Sequence, residues 1–296
     1  MKKYIRLLRI KHYIKNFLIF LPLVFSGNLL NGKLFLITLT EFLAFSFIAS
    51  AVYVFNDIQD VEKDRKHPVK KNRPIASGEI SIKKAYLIFT IMLIVSLGTQ
   101  TLLYKCLLFS FEAFVVTTLC LLLYLILNVI YSKWAKHIPI VDIFILAFGF
   151  LIRVYFGGYA IQTPVSDWLY LTILALSFYL VVGKRRGEYI KSKDSRPVLK
   201  YYSKEFLDKF MYVFLALTLV FYSLWCILGV SDNVSKLLIY SIIIVVFIVM
   251  RYSLIVESDS LGDPVDVLTH DKTLIIATII YIVYVGGVLY AETLGL

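Results

Sequence analysis

Apolar stretches of bilayer length alternate with short polar segments along almost the whole chain. A helix needs about 20 predominantly apolar residues to cross a hydrocarbon core, and runs of that kind fall near 13–31, 34–56, 82–103, 107–130, 139–160, 167–186, 206–229, 234–255 and 273–294. The pattern predicts an all-α integral membrane protein with about nine transmembrane helices. Composition agrees: 59% of the 296 residues are hydrophobic and only 17% are charged, which excludes an ordinary soluble domain.

The polar segments are not distributed evenly. With the N-terminus in the cytoplasm, only Lys33, Lys105 and Lys236 fall outside, whereas the opposite threading would invert that bias. The expectation is a multi-pass protein of the cell (inner, cytoplasmic) membrane whose long polar loops, and so its active side, face the cytoplasm. Lys2, Lys3, Arg6, Arg9, Lys11 and Lys15 precede the apolar run Phe17 to Phe25 as in a secretory signal. No small-x-small cleavage site follows, so an uncleaved first membrane helix is expected. Cys106, Cys120 and Cys226 lie in or beside apolar runs without ligand spacing and read as packing residues. The net charge of +11 would draw an anionic soluble substrate or a lipid headgroup to the basic rim. No nucleic-acid partner is expected.

The densest chemistry is Asn56 to Gly78, directly after the second apolar run. Four carboxylates and six basic residues crowd into it. If the helix entering from Phe42 continues through Asp64, then at about 100° per residue Asp57, Asp60 and Asp64 share an arc of roughly 60°. Three carboxylates on one face repel unless a cation joins them, and Mg²⁺ is usually held by one or two carboxylates plus substrate phosphates. Arg65, Lys66, Lys70, Lys71 and Arg73 follow at once and suit phosphate oxygens. Pro68 bends the chain out of the helix so that these groups can fold back over the acids. The plain alternative is a juxtamembrane loop of mixed charge.

Asn-Asp-x-x-Asp-x-x-x-Asp-Arg, followed by His-Pro and Arg-Pro-Ile-Ala-Ser-Gly, resembles the first signature of the UbiA superfamily of intramembrane prenyltransferases. More narrowly it resembles that superfamily's polyprenyl-phosphate (decaprenyl-phosphate) phosphoribosyltransferase branch. The N-terminal Lys15-Asn16 pair at the first span is similar to the same branch. Lys11 and Lys15, four residues apart, would present two ammonium groups to one phosphate or simply snorkel to the interface.

A second charged stretch, Gly183-Lys184-Arg185-Arg186-Gly187-Glu188, stands where prenyl-diphosphate-using members carry a second Asp-rich motif. Basic groups replace acids, a departure that suits a more heavily phosphorylated donor or two anionic substrates. A positive-inside anchor is the bland alternative. With Arg196-Pro197 this stretch echoes the first, which suggests one transmembrane catalytic domain, 1–296, made of pseudo-repeat halves of roughly 1–138 and 139–296 with the site between them.

Tyr131, Lys133 and Asp142 flank the start of the fifth span, and an acid within an apolar run is by default a site candidate. Arg153 lies about 16 Å deeper along a helix. It either reaches the cavity or pairs inside the bundle. The acidic loop with Glu257, Asp259, Asp263, Asp266 and Asp271 is a lid or a solvated loop. His12, His67, His137 and His270 are scattered without metal spacing.

The resemblance implies a UbiA-like bundle with a cytoplasm-facing central cavity and an enzyme of cell-envelope biosynthesis. It would move 5-phosphoribose from phosphoribosyl diphosphate to a polyprenyl phosphate, with Mg²⁺ as cofactor. Asp57, Asp60 and Asp64 would be catalytic, and with Asn56 would hold the metal. Lys11, Lys15, Asn16, Arg65, Lys70, Arg73, Tyr131, Lys133, Asp142, Lys184, Arg185 and Glu188 would bind substrates. The alternatives are transfer of a polyprenyl group from its diphosphate to an aromatic acceptor, and a transporter or lipid-binding protein that uses the charged mouth for recognition.

Overall fold

A computed structural model describes residues 2–106, 108–191, 196–258 and 264–294. Among them nearly all of the secondary structure is helix, joined by short turns and loops, with no strand. Eight of the helices are long and apolar enough to cross a membrane. The chain divides into two compact units, Met1–Ala135 with Ile152–Pro164, and Lys136–Leu151 with Val165–Leu296.

The first unit comprises α1 (Lys2–Leu8), a 3-10 helix (Ile10–Phe20), α2 (Leu21–Phe25), α3 (Gly32–Gln59), α4 (Val61–Arg65), α5 (Ile82–Lys105), α6 (Phe111–Lys133) and the second half of α7 (Val141–Ala160). Helix α3 is its axis. Asn31 starts it by accepting hydrogen bonds from the Lys33 and Leu34 amides, which satisfies two of the unpaired donors at a helix N-terminus. Its small buried residues, Ala44, Ser46, Ala49, Ser50 and Ala51, let neighbouring helices approach closely. Phe45, Ile48 and Val52 pack there with Leu121, Tyr124, Ile152 and Phe156. By contrast α5 and α6 turn much of their apolar surface outward, including Leu87, Ile94, Leu119 and Ile126, as lipid-facing helices do.

The stretch expected as the first crossing is not a regular α-helix. Ile10–Phe20 winds as a 3-10 helix and Leu21–Phe25 finishes it. A 3-10 helix rises about 2.0 Å per residue, so the segment still reaches about 30 Å. Gly157 of α7 is required beside it, because a Cβ there would run into the Ile19 carbonyl.

The second unit comprises the first half of α7, then α8 (Asp167–Lys191), α9 (Lys204–Leu228), α10 (Asp232–Leu238), α11 (Ser241–Ser258), α12 (Pro264–His270) and α13 (Lys272–Leu294). Helices α8 and α9 pack along their length, with Phe178 stacked on Phe214 at 4.8 Å. Ser203 caps α9 by accepting from the Phe206 amide. The expected crossing 234–255 is divided between α10 and α11.

Candidate active site

The expected helix through Asp64 breaks at Asp60. Helix α3 ends at Gln59 and α4 begins at Val61, yet the Asp60 amide still bonds the Asn56 carbonyl and the Asp64 amide bonds the Asp60 carbonyl. The helical advance is therefore nearly kept across the break. Asp57 and Asp64, two turns apart, come together under one side chain: Arg73 Nη1 lies 3.2 Å from Asp57 Oδ1 and 2.6 Å from Asp64 Oδ2. Asp60 is half-buried at the break. Among the described residues no three His, Cys, Asp or Glu side chains are grouped closely enough to hold a metal.

The loop reaches this position for legible reasons. The His67 ring accepts from the Val69 and Lys70 amides and caps a short 3-10 turn, Lys70–Asn72. Arg73 precedes Pro74 and is extended, φ −66° and ψ 145°, as the residue before a proline favours. Gly78 then turns the chain at φ 80°, a conformation that glycine adopts without Cβ strain. Ile75 and Ile80 sink into a cluster with Leu7, Val54, Ile58 and Val61. These apolar anchors press the loop onto the end of α3 and carry Arg73 over the carboxylates.

The N-terminal arm closes the other side. Arg6 donates to the Asn72 carbonyl at 2.5 Å and Lys3 to the Glu79 carbonyl at 3.3 Å. Arg9 donates from Nη2 to Asp57 Oδ1 at 2.5 Å and lies over the Tyr53 ring, 4.7 Å from its centroid. Two guanidinium groups thus face two carboxylates that are almost wholly enclosed, 3% and 2% exposed. Both bonds to Asp57 fall on Oδ1, and the bond to Asp64 falls on Oδ2. Asp57 Oδ2 and Asp64 Oδ1 take no hydrogen bond from any described residue.

Of the other residues expected here, Asn56 Oδ1 accepts from Ser132 on α6, beside buried Tyr131, and Lys133 is exposed. Arg65 is turned to Glu62 at 2.7 Å and to the Ala76 carbonyl. Lys70 is half-buried, Lys11 exposed and Lys15 half-buried. Asn16 is buried: it donates to Ser46 and accepts from Arg153 Nε at 2.8 Å. Arg153 also lies over the Phe45 and Tyr124 rings, at 4.8 and 4.9 Å, so its surroundings are the interior of the first unit.

The second unit has its own charged corner. Arg185 is fully buried and gives Nε to Asp142 Oδ2 at 2.6 Å and Nη1 to Glu188 Oε2 at 2.6 Å. Arg196 meets the same Glu188 at 2.8 Å. Tyr202 donates to Asp142 Oδ1 at 2.6 Å and accepts from the Ile140 amide at 2.6 Å. Burial first, then the bond to Asp142, pushes the Tyr202 phenol above its ordinary range. Arg186 pairs with Asp208 and donates to the Val256 carbonyl. Lys184 is half-buried beside this group. In the acidic stretch, Arg251 and the Leu274 amide hold the Asp271 carboxyl below the usual carboxylate range. Asp259 and Asp263 lie outside the described residues.

Sequence reasoning named the carboxylates and Arg73 but gave no site role to Arg9, Ser132, Arg196, Tyr202 or Asp208. Arg9 and Arg196 had a signal, since each stands in a basic segment beside a motif. Ser132, Tyr202 and Asp208 had none beyond being polar.

Comparison with known proteins bears on this arrangement. A model of the UbiA prenyltransferase family matches residues 18–265. The decaprenyl-phosphate phosphoribosyltransferase of Mycobacterium tuberculosis is 31% identical over 251 residues, covering 83% of this chain and 79% of that one. Its counterpart in Corynebacterium glutamicum is 30% identical over 280 residues, covering 91% and 81%. A UbiA homolog from Archaeoglobus fulgidus, solved bound to GPP and Mg²⁺, shares the fold with a TM-score of 0.68 at 22% identity, covering 97% of this chain and 99% of that one.

Proposed function

The chain belongs to the UbiA prenyltransferase family, and from that premise we propose that it transfers 5-phosphoribose from phosphoribosyl diphosphate to a polyprenyl phosphate. The observation that carries this reading is the enclosed Asp57–Asp64 pair under Arg73 and Arg9, with one oxygen of each carboxylate left open. The similarity to the two phosphoribosyltransferases, over most of both chains, supports the donor.

The donor set fits a divalent cation of the Mg²⁺ kind. Two hard carboxylate oxygens suffice where phosphate oxygens and water complete the shell, whereas an all-protein cage would need more ligands than are gathered here. Asp57 and Asp64 would hold the ion, with Asn56 and Asp60 as outlying partners. When bound, such an ion neutralises charge that builds on a departing diphosphate.

Everything else falls to side chains. Arg73, and Lys70 and Arg65 around it, bind the phosphate oxygens of the donor and fix its leaving group toward the carboxylates. The C1–O bond to diphosphate breaks while an oxygen of the lipid phosphate forms the new bond to C1. That oxygen is already ionised, so no strong base is required, and positioning with electrostatic stabilisation supplies the rate. Lys11, Lys15, Tyr131 and Lys133 are read as interface contacts to anionic groups. In the second unit Lys184 is the candidate phosphate contact. Arg185, Asp142 and Glu188, which satisfy one another, brace it. The Asp57 end of α3 faces the cytoplasm by the excess of Lys and Arg on that side.

The test is turnover of purified protein with Mg²⁺, phosphoribosyl diphosphate and a polyprenyl phosphate, against a parallel reaction with a prenyl diphosphate and an aromatic acid. Product from the first pair, lost in Asp57→Ala and Asp64→Ala, is expected. Product from the second pair alone would replace this reading with prenyl transfer. Full turnover in both variants would remove the carboxylates from the chemistry.

A further inference from the structure

The carboxylate pair is charge-compensated by the chain's own side chains. Asp57 and Asp64 carry two negative charges, and Arg9 and Arg73 bring two positive ones to within 2.5 to 3.2 Å. A divalent cation added to that arrangement leaves a surplus of two positive charges inside an enclosed site, a strongly unfavourable state at low dielectric. One resident guanidinium must then shift, or anionic oxygens must arrive to meet it. The two arginines are not equally free to do so. Arg73 touches both carboxylates, and the residues after it, Pro74, Ile75 and Ala76, are buried. Arg9 touches Asp57 alone, through one nitrogen.

Arg9 also stands at a joint. Its backbone is left-handed, φ 51° and ψ 49°, between α1 and the 3-10 helix. For a residue with a Cβ that conformation is strained and persists where surrounding contacts hold it, typically at ligand clamps. Here the holding contacts are the bond to Asp57, the Tyr53 ring face, and Ser50, whose hydroxyl donates to the Leu8 carbonyl at 2.9 Å. The side chain is 23% exposed, so its solvent side is open to an incoming anion.

We propose that Arg9 is the resident counter-ion of the carboxylate pair: its guanidinium holds Asp57 in the ligand-free chain and passes to a diphosphate oxygen when a divalent cation is taken up. It is a positioning residue with two partners in sequence, and it makes cation binding and diphosphate binding interdependent. This rests on the reading of the site as a metal-diphosphate centre but not on which diphosphate ester is the donor.

The experiment uses full-length protein in detergent or nanodiscs and measures Mn²⁺ binding by the loss of the free-ion electron paramagnetic resonance signal, with and without inorganic diphosphate. Arg9→Gly removes the guanidinium while relaxing the left-handed backbone, so it is expected to fold. Arg9→Lys keeps the charge and serves as the second variant. Without diphosphate, Arg9→Gly should bind Mn²⁺ about tenfold more tightly than the unsubstituted protein, because a competing cation is gone. With Mn²⁺ present, it should bind diphosphate about tenfold more weakly. Arg9→Lys should lie between. A folded Arg9→Gly with unchanged or weaker Mn²⁺ binding makes Arg9 a structural strut and overturns the proposal. If the unsubstituted protein shows no Mn²⁺ binding that Asp57→Ala abolishes, the metal reading falls together with it. If Mn²⁺ tightens as expected but phosphoribosyl diphosphate is not turned over, only the donor is wrong.

Discussion

Arg185 and Asp142 meet at 2.6 Å with neither side chain exposed to solvent. An ion pair so enclosed gains little over a well-packed apolar pair, yet removing one partner strands a buried charge and typically costs about 3–5 kcal/mol. Asp142→Ala should therefore lower the thermal midpoint sharply in detergent, read by light scattering or tryptophan fluorescence. Replacing both residues, as Asp142→Leu with Arg185→Met, should recover much of that loss. If the single and double variants are equally damaged, the pair does more than compensate charge.

Tyr202 gives this corner a pH dependence with a definite sign. Its phenol is raised above the ordinary value near 10 by burial and by the bond it donates to Asp142. The unfolded chain then loses its phenolic proton first as pH rises, so stability from Tyr202 is fully present below about pH 10 and declines above it. Tyr202→Phe cannot ionise, but it leaves Asp142 Oδ1 and the Ile140 amide without their partner. The stability gap between the unsubstituted protein and Tyr202→Phe should be widest at neutral pH and narrow above pH 10. Denaturation midpoints across that range check it.

Several of these relationships were legible in the sequence and others were not. The convergence of Asp57 and Asp64 was, because seven residues make two turns and the backbone bonds on either side of Asp60 keep the advance. The break of the helix at Asp60 was not, since a one-residue interruption leaves no compositional trace. A first crossing was expected from the apolar run that begins at Phe17, but neither that run nor the polar Lys11, His12, Lys15 and Asn16 before it distinguishes three residues per turn from 3.6. The bond from Arg9 to Asp57 spans 48 positions and that from Tyr202 to Asp142 spans 60, and nothing local encodes either. Arg185 was expected among phosphate ligands from its basic run, but its neutralising partners come from the same helix and from one distant in sequence.

A second buried acid tests the interior of the first unit. Glu41 is fully enclosed on α3; its Oε2 accepts from Gln100 at 2.8 Å, Gln100 Oε1 accepts from Thr117 at 2.7 Å, and Glu41 Oε1 has no hydrogen-bond partner among the described residues. Glu41→Leu leaves the Gln100 amide unsatisfied and should cost about 1–3 kcal/mol. Glu41→Gln keeps an acceptor for Gln100 and removes the ionisable group, so its midpoint should match or exceed that of the unsubstituted protein. Thermal scans of the two variants side by side decide between a hydrogen-bonding role and a need for the acid itself.

Close approach of backbones supplies another test. Gly157→Ala places a methyl group against the Ile19 carbonyl, and that atom belongs to main chain rather than to a flexible side chain. Overpacking of this kind typically costs about 1–3 kcal/mol. The expected result is a lower midpoint with no change in the ratio of donor to acceptor KM, because the strain falls on helix packing. A selective rise in one KM would place the 3-10 segment in contact with that substrate.

Arg73 is where stability and chemistry are coupled most tightly. It reaches both Asp57 and Asp64, each nearly closed off from solvent, so Arg73→Ala leaves two buried carboxylates facing each other with Arg9 as the neutralising group on one of them. The ligand-free variant should lose stability by several kcal/mol. Because a ligand that binds only the folded state stabilises it by mass action, millimolar Mg²⁺ should raise the midpoint of Arg73→Ala by more than it raises that of the unsubstituted protein. Adding Asp57→Asn to Arg73→Ala removes the repulsion and should restore stability without Mg²⁺, while abolishing the differential response to the metal. Turnover should fall about a hundredfold in Arg73→Ala, since a charge-assisted donor to phosphate is worth about 1.5–3 kcal/mol. Arg73→Lys should recover part of the stability but little of the rate, because a single ammonium cannot reproduce the guanidinium fork. A midpoint in Arg73→Ala that ignores Mg²⁺ would mean that these two carboxylates do not bind a cation.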